Sequence, residues 1–151
     1  MRALIQRVKH ARVRIEDDVS GEIDGGLLVF LGVGKDDTLS DVDLIVRKVS
    51  FLRIFDDEKG KMNRNLFDVR GKILLVSQFT LYGNCRRGLR PSYDQAADPT
   101  EAEHLYREVA TGLKNQGVEV EEGIFGAVMQ VDLCNDGPVT IWLDSKERRN
   151  G

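Results

Sequence analysis

The chain has 151 residues, 41% of them hydrophobic and 31% charged, with a formal net charge of −3. That is enough for one domain with its own core, and the composition excludes a disordered or collagen-like chain. A net acidic protein gains no long-range pull toward phosphate, so any RNA contact has to come from a local basic patch.

The start, Met1 to Arg7, carries charges inside its apolar stretch and does not read as a signal peptide. Residues 2–15 alternate in part, with Val8, Val13 and Ile15 among Arg and Lys; this predicts two short strands turning near Lys9-His10-Ala11. Gly25-Gly26 precedes Leu27 to Leu31, a buried strand ending at Gly32-Val33-Gly34. Thr38 or Ser40 caps a helix running to about Ser50, whose apolar positions Val42, Ile45, Val46 and Val49 follow helical spacing. Phe51 to Phe55 is expected to be a further strand, followed by a polar turn from Asp56 to Gly60. Lys72 to Val76 is a strong central strand running into Ser77-Gln78-Phe79-Thr80. Residues 83–98, rich in Gly, Arg and Pro, read as a long functional loop. Pro99 starts a second amphipathic helix carrying Ala102, Leu105, Val109 and Leu113, and Gly117 ends it.

The remainder is strand-rich: Val118 to Glu121, Ala127 to Leu133, and Val139 to Leu143. Asn-Asp-Gly is a strong turn signal, so the last two are expected to form a hairpin at Cys134-Asn135-Asp136-Gly137-Pro138. A single α+β domain over residues 1–151 follows, with stacked β-sheets and two main helices on one side in a three-layer β/β/α arrangement. The longest apolar run, Leu27 to Leu31, is too short to span a bilayer, and the two cysteines, Cys85 and Cys134, read as free thiols. A cytoplasmic protein is expected.

Familiar catalytic sets are missing. A Ser-His-Asp triad would need His10, in an expected turn, or His104, on a helix among Glu101, Glu103 and Glu108. There is no G-x-S-x-G elbow, and no cluster with metal-ligand spacing, so neither metal nor cofactor is expected. Gly32-Val33-Gly34-Lys35 lacks the full phosphate-loop and dinucleotide patterns and reads as a turn leaving a buried strand.

Three features stand out. Ser77-Gln78-Phe79-Thr80 places polar residues at the end of the most apolar strand, where hydroxyls and main-chain N–H groups can bind an oxyanion; an ordinary hydrogen-bonded turn is the plainer alternative. Gly137-Pro138 sits between strands, where proline marks a strand start or an edge. Asn84-Cys85-Arg86-Arg87-Gly88-Leu89-Arg90 holds three arginines suited to phosphate, with Tyr82 and Tyr93 placed to stack on bases, and Lys9, Arg12 and Arg14 extend the patch; a solvated basic loop is the alternative.

Taken together, the start Met-Arg-Ala-Leu-Ile-Gln-Arg-Val, the Ser-Gln-x-Thr motif at Ser77–Thr80 and the Asn-x-Gly-Pro-Val-Thr motif at Asn135–Thr140 resemble the D-aminoacyl-tRNA deacylases over essentially the whole chain. The resemblance implies a homodimer with active sites at the subunit interface, and a cis Gly137-Pro138 pair that reaches into the partner's site while Arg7 holds its loop. It also implies a pocket lined by Ser77, Gln78, Phe79 and Thr80, an adenosine site at Phe125 and Met129, and an amino-acid site bordered by Ala102. The tRNA contacts would come from Arg86, Arg87 and Arg90.

An aminoacyl ester is already activated, so oxyanion stabilisation and a placed water suffice, with help from the neighbouring ribose hydroxyl. Thr80 is a natural nucleophile candidate, but with no base near it in sequence a positioning role is favoured. Rigid main chain where an L side chain would point rejects L substrates by clash and accepts many D-amino acids, and glycine with them. The rival readings are a tRNA- or RNA-binding module without catalysis, resting on the arginine loop alone, and a hydrolase of small D-peptides or acyl esters.

Overall fold

The computed structural model describes residues 1–147. It is an α+β structure built around one long strand, β1 (Arg2–Ile15), which pairs along its full length. On one edge it meets β2 (Asp18–Ile23) and then β3 (Gly26–Gly32), both antiparallel; on the other edge it meets β8 (Gln130–Asp144). The sheet continues from β3 to β6 (Lys72–Ser77) and β7 (Val120–Glu122), both in parallel register. A two-stranded hairpin of β4 (Phe55–Asp56) and β5 (Met62–Arg64) stands apart.

Strand alternation splits the core in two. Leu27, Val29, Leu31, Ile73 and Leu75 face α1 (Leu39–Phe51) and α3 (Pro99–Asn115), the two helices packing together on that side. Leu28, Leu74 and Val76 face the other way and meet Val8, Ala11, Val13 and Ile23. The distal halves of β1 and β8, with β2, thus fold back over β3 and β6, giving two sheet layers and a helix layer from a single connected sheet. Every fully buried Leu or Ile here contributes roughly 1.5–3 kcal/mol through area removed from water.

Local chemistry accounts for the helix ends. Thr38 and Asp41 form a capping box at α1, and Asp98 accepts from the Thr100 and Glu101 N–H groups with Pro99 in the first turn of α3. Past α3, Gly117 adopts φ +94°, a left-handed conformation that favours glycine. A four-residue helix, α2 (Leu66–Val69), capped by Asn65, leads into β6 and was not foreseen.

Three expectations are corrected. There is no turn at Lys9-His10-Ala11: β1 is continuous, and only a register shift against β8 between Val8 and His10 marks the place. No hairpin forms at Asn135–Pro138 either. β8 passes straight through, pairing Cys134 with His10 and Thr140 with Gln6, while residues 136–139 are looped out of the ladder opposite Arg7. Proline cannot donate to a ladder, which is why the segment leaves it without reversing direction. Finally, Phe51 ends α1, and of the expected 51–55 strand only Phe55 is paired, as the first residue of β4.

The far end of β8 is tied to α1 through Asp41. Burial raises its carboxyl pKa, but hydrogen bonds from the Ser145 hydroxyl (2.6 Å), the Lys146 ammonium (2.9 Å) and the Thr38 N–H (2.8 Å) outweigh it and hold the group well below the usual carboxylate range. The unfolded chain therefore takes up this proton first as pH falls. The stability is fully present above the ordinary carboxyl value of ~3.9 and is lost as pH drops below it toward the folded value. The urea midpoint should fall between about pH 5 and pH 2. Asp41→Asn should lower stability by about 1–2 kcal/mol at neutral pH and flatten that acid limb; an unchanged limb would assign acid lability to other carboxylates.

Candidate active site

Ser77 ends β6, beside Leu31 of β3, and the Gln78 N–H extends that pairing to the Leu31 carbonyl at 2.8 Å. The chain then tightens into a 3₁₀ turn, Phe79–Tyr82, closed by the Gly83 N–H on the Thr80 carbonyl at 2.9 Å. Ser77 and Gln78 are half-buried, whereas Phe79 and Thr80 are exposed. The first N–H groups of such a turn have no partner within it and remain available. The Gln78 side-chain amide donates to the Thr80 hydroxyl, fixing both polar groups in one orientation. Among the described residues, no His, Asp or Glu side chain hydrogen-bonds to Ser77 or Thr80. His10 and His104 are both exposed, one on β1 and one on α3.

A second group adjoins the same strand. Leu75 accepts from the Tyr106 hydroxyl (3.1 Å) and the Gly123 N–H (3.2 Å). Burial first, then Glu122 nearby, pushes the Tyr106 phenol above its ordinary value and keeps it a neutral donor. Its ring lies 5.9 Å from that of Phe125, and the two line a cleft of about 220 Å³ with Arg107, Glu122, Gly123 and Ile124. Met129 covers Gly123, where a Cβ would come within 2.6 Å of its sulfur. Ala102, one helical turn before Tyr106, is buried. Phe125 and Ala102 thus belong to the helix-side core and Met129 to the core on the other face of β6.

Gly137 and Pro138 lie far from Ser77 within one chain. Their peptide bond is cis, and both residues are exposed on the looped-out segment of β8. Across β8, β1, β3 and β6, and from the level of Arg7 to that of Ala3, the segment lies on the order of 20 Å from Ser77 at ~4.8 Å per strand and ~3.3 Å per residue. The loop is nonetheless firmly held. Arg7, only 7% exposed, donates from Nε to the Asp136 carbonyl (3.2 Å) and from Nη1 to the Ile54 carbonyl (2.8 Å). Its charge faces Asp136 Oδ2 at 3.2 Å and Asp56 Oδ1 at 3.5 Å. Asn135 spans the base of the loop, donating its amide to the carbonyls of Arg7 (2.9 Å) and Val139 (3.1 Å). Asn135, Asp136 and Asp56 were given no part in holding this loop from the sequence. The Asn-x-Gly-Pro pattern was the available sign for the first, and nothing local pointed to Asp56.

The basic segment stands beside the 3₁₀ turn. Arg86, Arg87 and Arg90 are exposed, as expected, but Tyr82 is not free to stack on a base. It is buried under the Arg2 guanidinium (4.4 Å to its ring centroid) with its hydroxyl 3.4 Å from Asp37. Lys9, Arg12 and Arg14 do not extend the patch freely: Lys9 pairs with Asp136, and the two arginines with Asp132. Among the described residues, no three His, Cys, Asp or Glu side chains converge in a way that could hold a metal ion, and no helix is long and apolar enough to cross a membrane.

A strand end with hydroxyl, amide and main-chain donors can orient an already activated acyl group and stabilise an oxyanion. Residues 4–144 match the D-Tyr-tRNA(Tyr) deacylase family, and the chain belongs to it. It is 57% identical over 147 residues to the D-aminoacyl-tRNA deacylase of Thermosipho africanus, covering 97% of this chain and 99% of that one. It is 54% identical over 147 residues to that of Thermotoga petrophila, with the same two coverages. Among solved structures, a c-Myc DNA unwinding element binding protein is 37% identical with a TM-score of 0.90, covering 95% of this chain and 98% of that one. A probable eukaryotic D-amino acid tRNA deacylase is 17% identical with a TM-score of 0.81, covering 94% and 97%, a likeness of fold alone.

Proposed function

We propose that the chain hydrolyses the ester bond between a D-amino acid and its tRNA, and glycyl-tRNA as well, rejecting L-aminoacyl-tRNA and so proofreading chirality in translation. The observation that carries this reading is the full-length family match joined to a site with donors but no base. Phe79, Ala102, Phe125 and Met129 receive the substrate's aminoacyl and terminal nucleoside groups, and the N–H groups at the start of the 3₁₀ turn hold the oxyanion. Arg86, Arg87 and Arg90 contact phosphate. Gly137 and Pro138 present main chain, which sees the configuration at the α-carbon but not the identity of the side chain. Their distance from Ser77 of the same chain supports a homodimer in which each copy completes its partner's pocket.

The test is deacylation of matched D- and L-tyrosyl-tRNA at enzyme well below substrate. Loss of the D ester alone is expected. Loss of neither would leave a non-catalytic RNA-binding module, and loss of both would keep the hydrolase and remove the chiral filter. Hydrolysis of free D-aminoacyl esters equal to that of charged tRNA would favour a small-ester hydrolase. With its hydroxyl accepting from Gln78 and no base beside it, Thr80 positions and does not attack. Thr80→Ala should stay within about 10- to 100-fold of wild-type kcat, where loss of a true nucleophile costs on the order of 10⁶-fold.

A further inference from the structure

The loop that carries the three arginines is joined to the pocket by one aromatic side chain. Residues 84–92 close on themselves through an antiparallel bridge, Asn84 N–H to the Ser92 carbonyl (2.8 Å) and Ser92 N–H to the Asn84 carbonyl (3.0 Å). The Asn84 side chain accepts from the Arg86 N–H at 3.0 Å, shaping the first corner. Ion pairs among the described residues engage Arg2, Arg7, Arg12, Arg14, Arg64 and Arg107 but none of this loop's arginines.

Tyr93 follows at once. Its ring meets that of Phe79 edge to face with centroids 5.0 Å apart. It also lies beside Gly83, where an added Cβ would sit 3.3 Å from the ring and 3.0 Å from the Thr80 carbonyl oxygen. One ring therefore packs on Phe79 at the start of the turn and lies beside Gly83 at its end. Behind it the chain is fixed to the scaffold: the Ala96 N–H bonds the Tyr93 carbonyl (3.0 Å), and Ala97 N–H bonds the Val33 carbonyl (2.9 Å).

We propose that Tyr93 is a positioning residue that couples the basic loop to the ester pocket, so that phosphate engagement by Arg86, Arg87 and Arg90 sets Phe79 and the Gln78–Thr80 turn for hydrolysis. This rests on the deacylase reading above. The nucleic-acid backbone then raises turnover as well as affinity, because remote binding energy is used to orient the reacting group.

A kinetic double-mutant cycle tests it on two substrates, D-tyrosyl-tRNA and a minimal D-tyrosyl ester of adenosine. Wild-type hydrolysis of neither would sink the deacylase reading itself and not this coupling in particular. Given wild-type activity, replacing the three arginines by serine should raise KM for the tRNA and also lower its kcat about 3- to 10-fold, the scale of one aromatic contact. Adenosine ester hydrolysis should not respond to that change. In a Tyr93→Leu background the same arginine replacement should raise KM only, since the link to turnover is gone. Tyr93→Phe, which keeps the ring, should restore the wild-type pattern. Arginine effects on kcat that are equal with and without the Tyr93 ring, in variants with wild-type melting temperature, overturn the proposal. If Tyr93→Leu fails to fold, Phe79→Leu removes the same pair from the other side and must abolish the kcat effect likewise.

Discussion

Arg7→Ala should turn a selective enzyme into a permissive one. In single-turnover assays, L-tyrosyl-tRNA hydrolysis should rise at least about 10-fold relative to D-tyrosyl-tRNA, as expected when a group that rejects by clash is allowed to move. The cause is specific. Arg7 is the buried cation that ties the Gly137-Pro138 loop to the body of the protein, reaching Asp136 on the loop and Ile54 and Asp56 on the neighbouring segment, while the exposed Lys9 ammonium stands 3.7 Å from the same Asp136 carboxylate. Removing it leaves the Ile54 and Asp136 carbonyls without their donor and the Asp56 carboxylate without its cation, at a cost of about 2 kcal/mol. The carboxylates are partly solvated, so the fold survives while the loop loosens. Arg7→Lys should not rescue selectivity, because a single ammonium cannot span two carbonyls on different segments as the planar guanidinium does. A folded Arg7→Ala protein that still ignores the L ester would mean the loop is not the filter. Selection would then have to lie in the Phe79 and Ala102 pocket itself.

The elements the sequence revealed are those in which local pattern and tertiary contact agree. Val42, Ile45, Val46 and Val49, with Thr38 ahead of them, describe α1 fully, and each of the four is buried against the sheet. The same holds for α3 from Asp98 to Gly117, and for the apolar runs of β3 and β6, which are central and covered on both faces. Where the pattern misled, long-range pairing had the deciding role. Lys9 and His10 look like a turn because two polar residues interrupt the alternation, yet β1 gains hydrogen bonds on both edges by continuing. Asn135-Asp136-Gly137 looks like a hairpin, but Arg7 and Asn135 supply the donors that stabilise a looped-out segment instead, and one of them lies at the other end of the chain.

The site was legible to the same extent. Ser77–Thr80 and the Gly137-Pro138 pair stood out as chemistry because they put polar or donor-less residues where strands demand the opposite. Their partners were less legible: Asp56 has no unusual neighbours in sequence, and Tyr93, singled out only for base stacking beside the arginine loop, acquires its contact with Phe79 through the fold. Tyr82 shows the converse: beside an arginine-rich loop it looks like a base-stacking residue, but the fold uses it to fill the space under Arg2.

Gly26→Ala should have the largest effect on stability. Gly26 opens β3 between two partners, Val8 of β1 and Lys72 of β6. A Cβ at this position would run into the Lys72 carbonyl oxygen and come within 2.7 Å of the Lys72 nitrogen, both main-chain atoms that cannot turn aside. Relief requires β6 to move away from β3 at the start of the parallel pair. That pair ends at Leu31 and Ser77, so the displacement propagates toward the strand end that carries Ser77 and Gln78. The expected loss is about 3 kcal/mol, on the scale of severe overpacking, or roughly 10 °C in Tm for a domain of this size. Gly25→Ala is the matched control: nothing lies within 4 Å of a Cβ there, and the change should stay within about 0.5 kcal/mol. Thermal melting of the two variants side by side decides the matter, because they differ by one position and by nothing in chemistry. Equal melting temperatures would mean that the β3–β6 pairing tolerates a methyl group at its base and that the close approach of Gly26 to Lys72 is not a determinant of the fold. A selective loss in Gly26→Ala, accompanied by a fall in D-ester hydrolysis at temperatures where the protein is still folded, would tie the register of this parallel pair directly to the geometry of the Ser77–Thr80 turn.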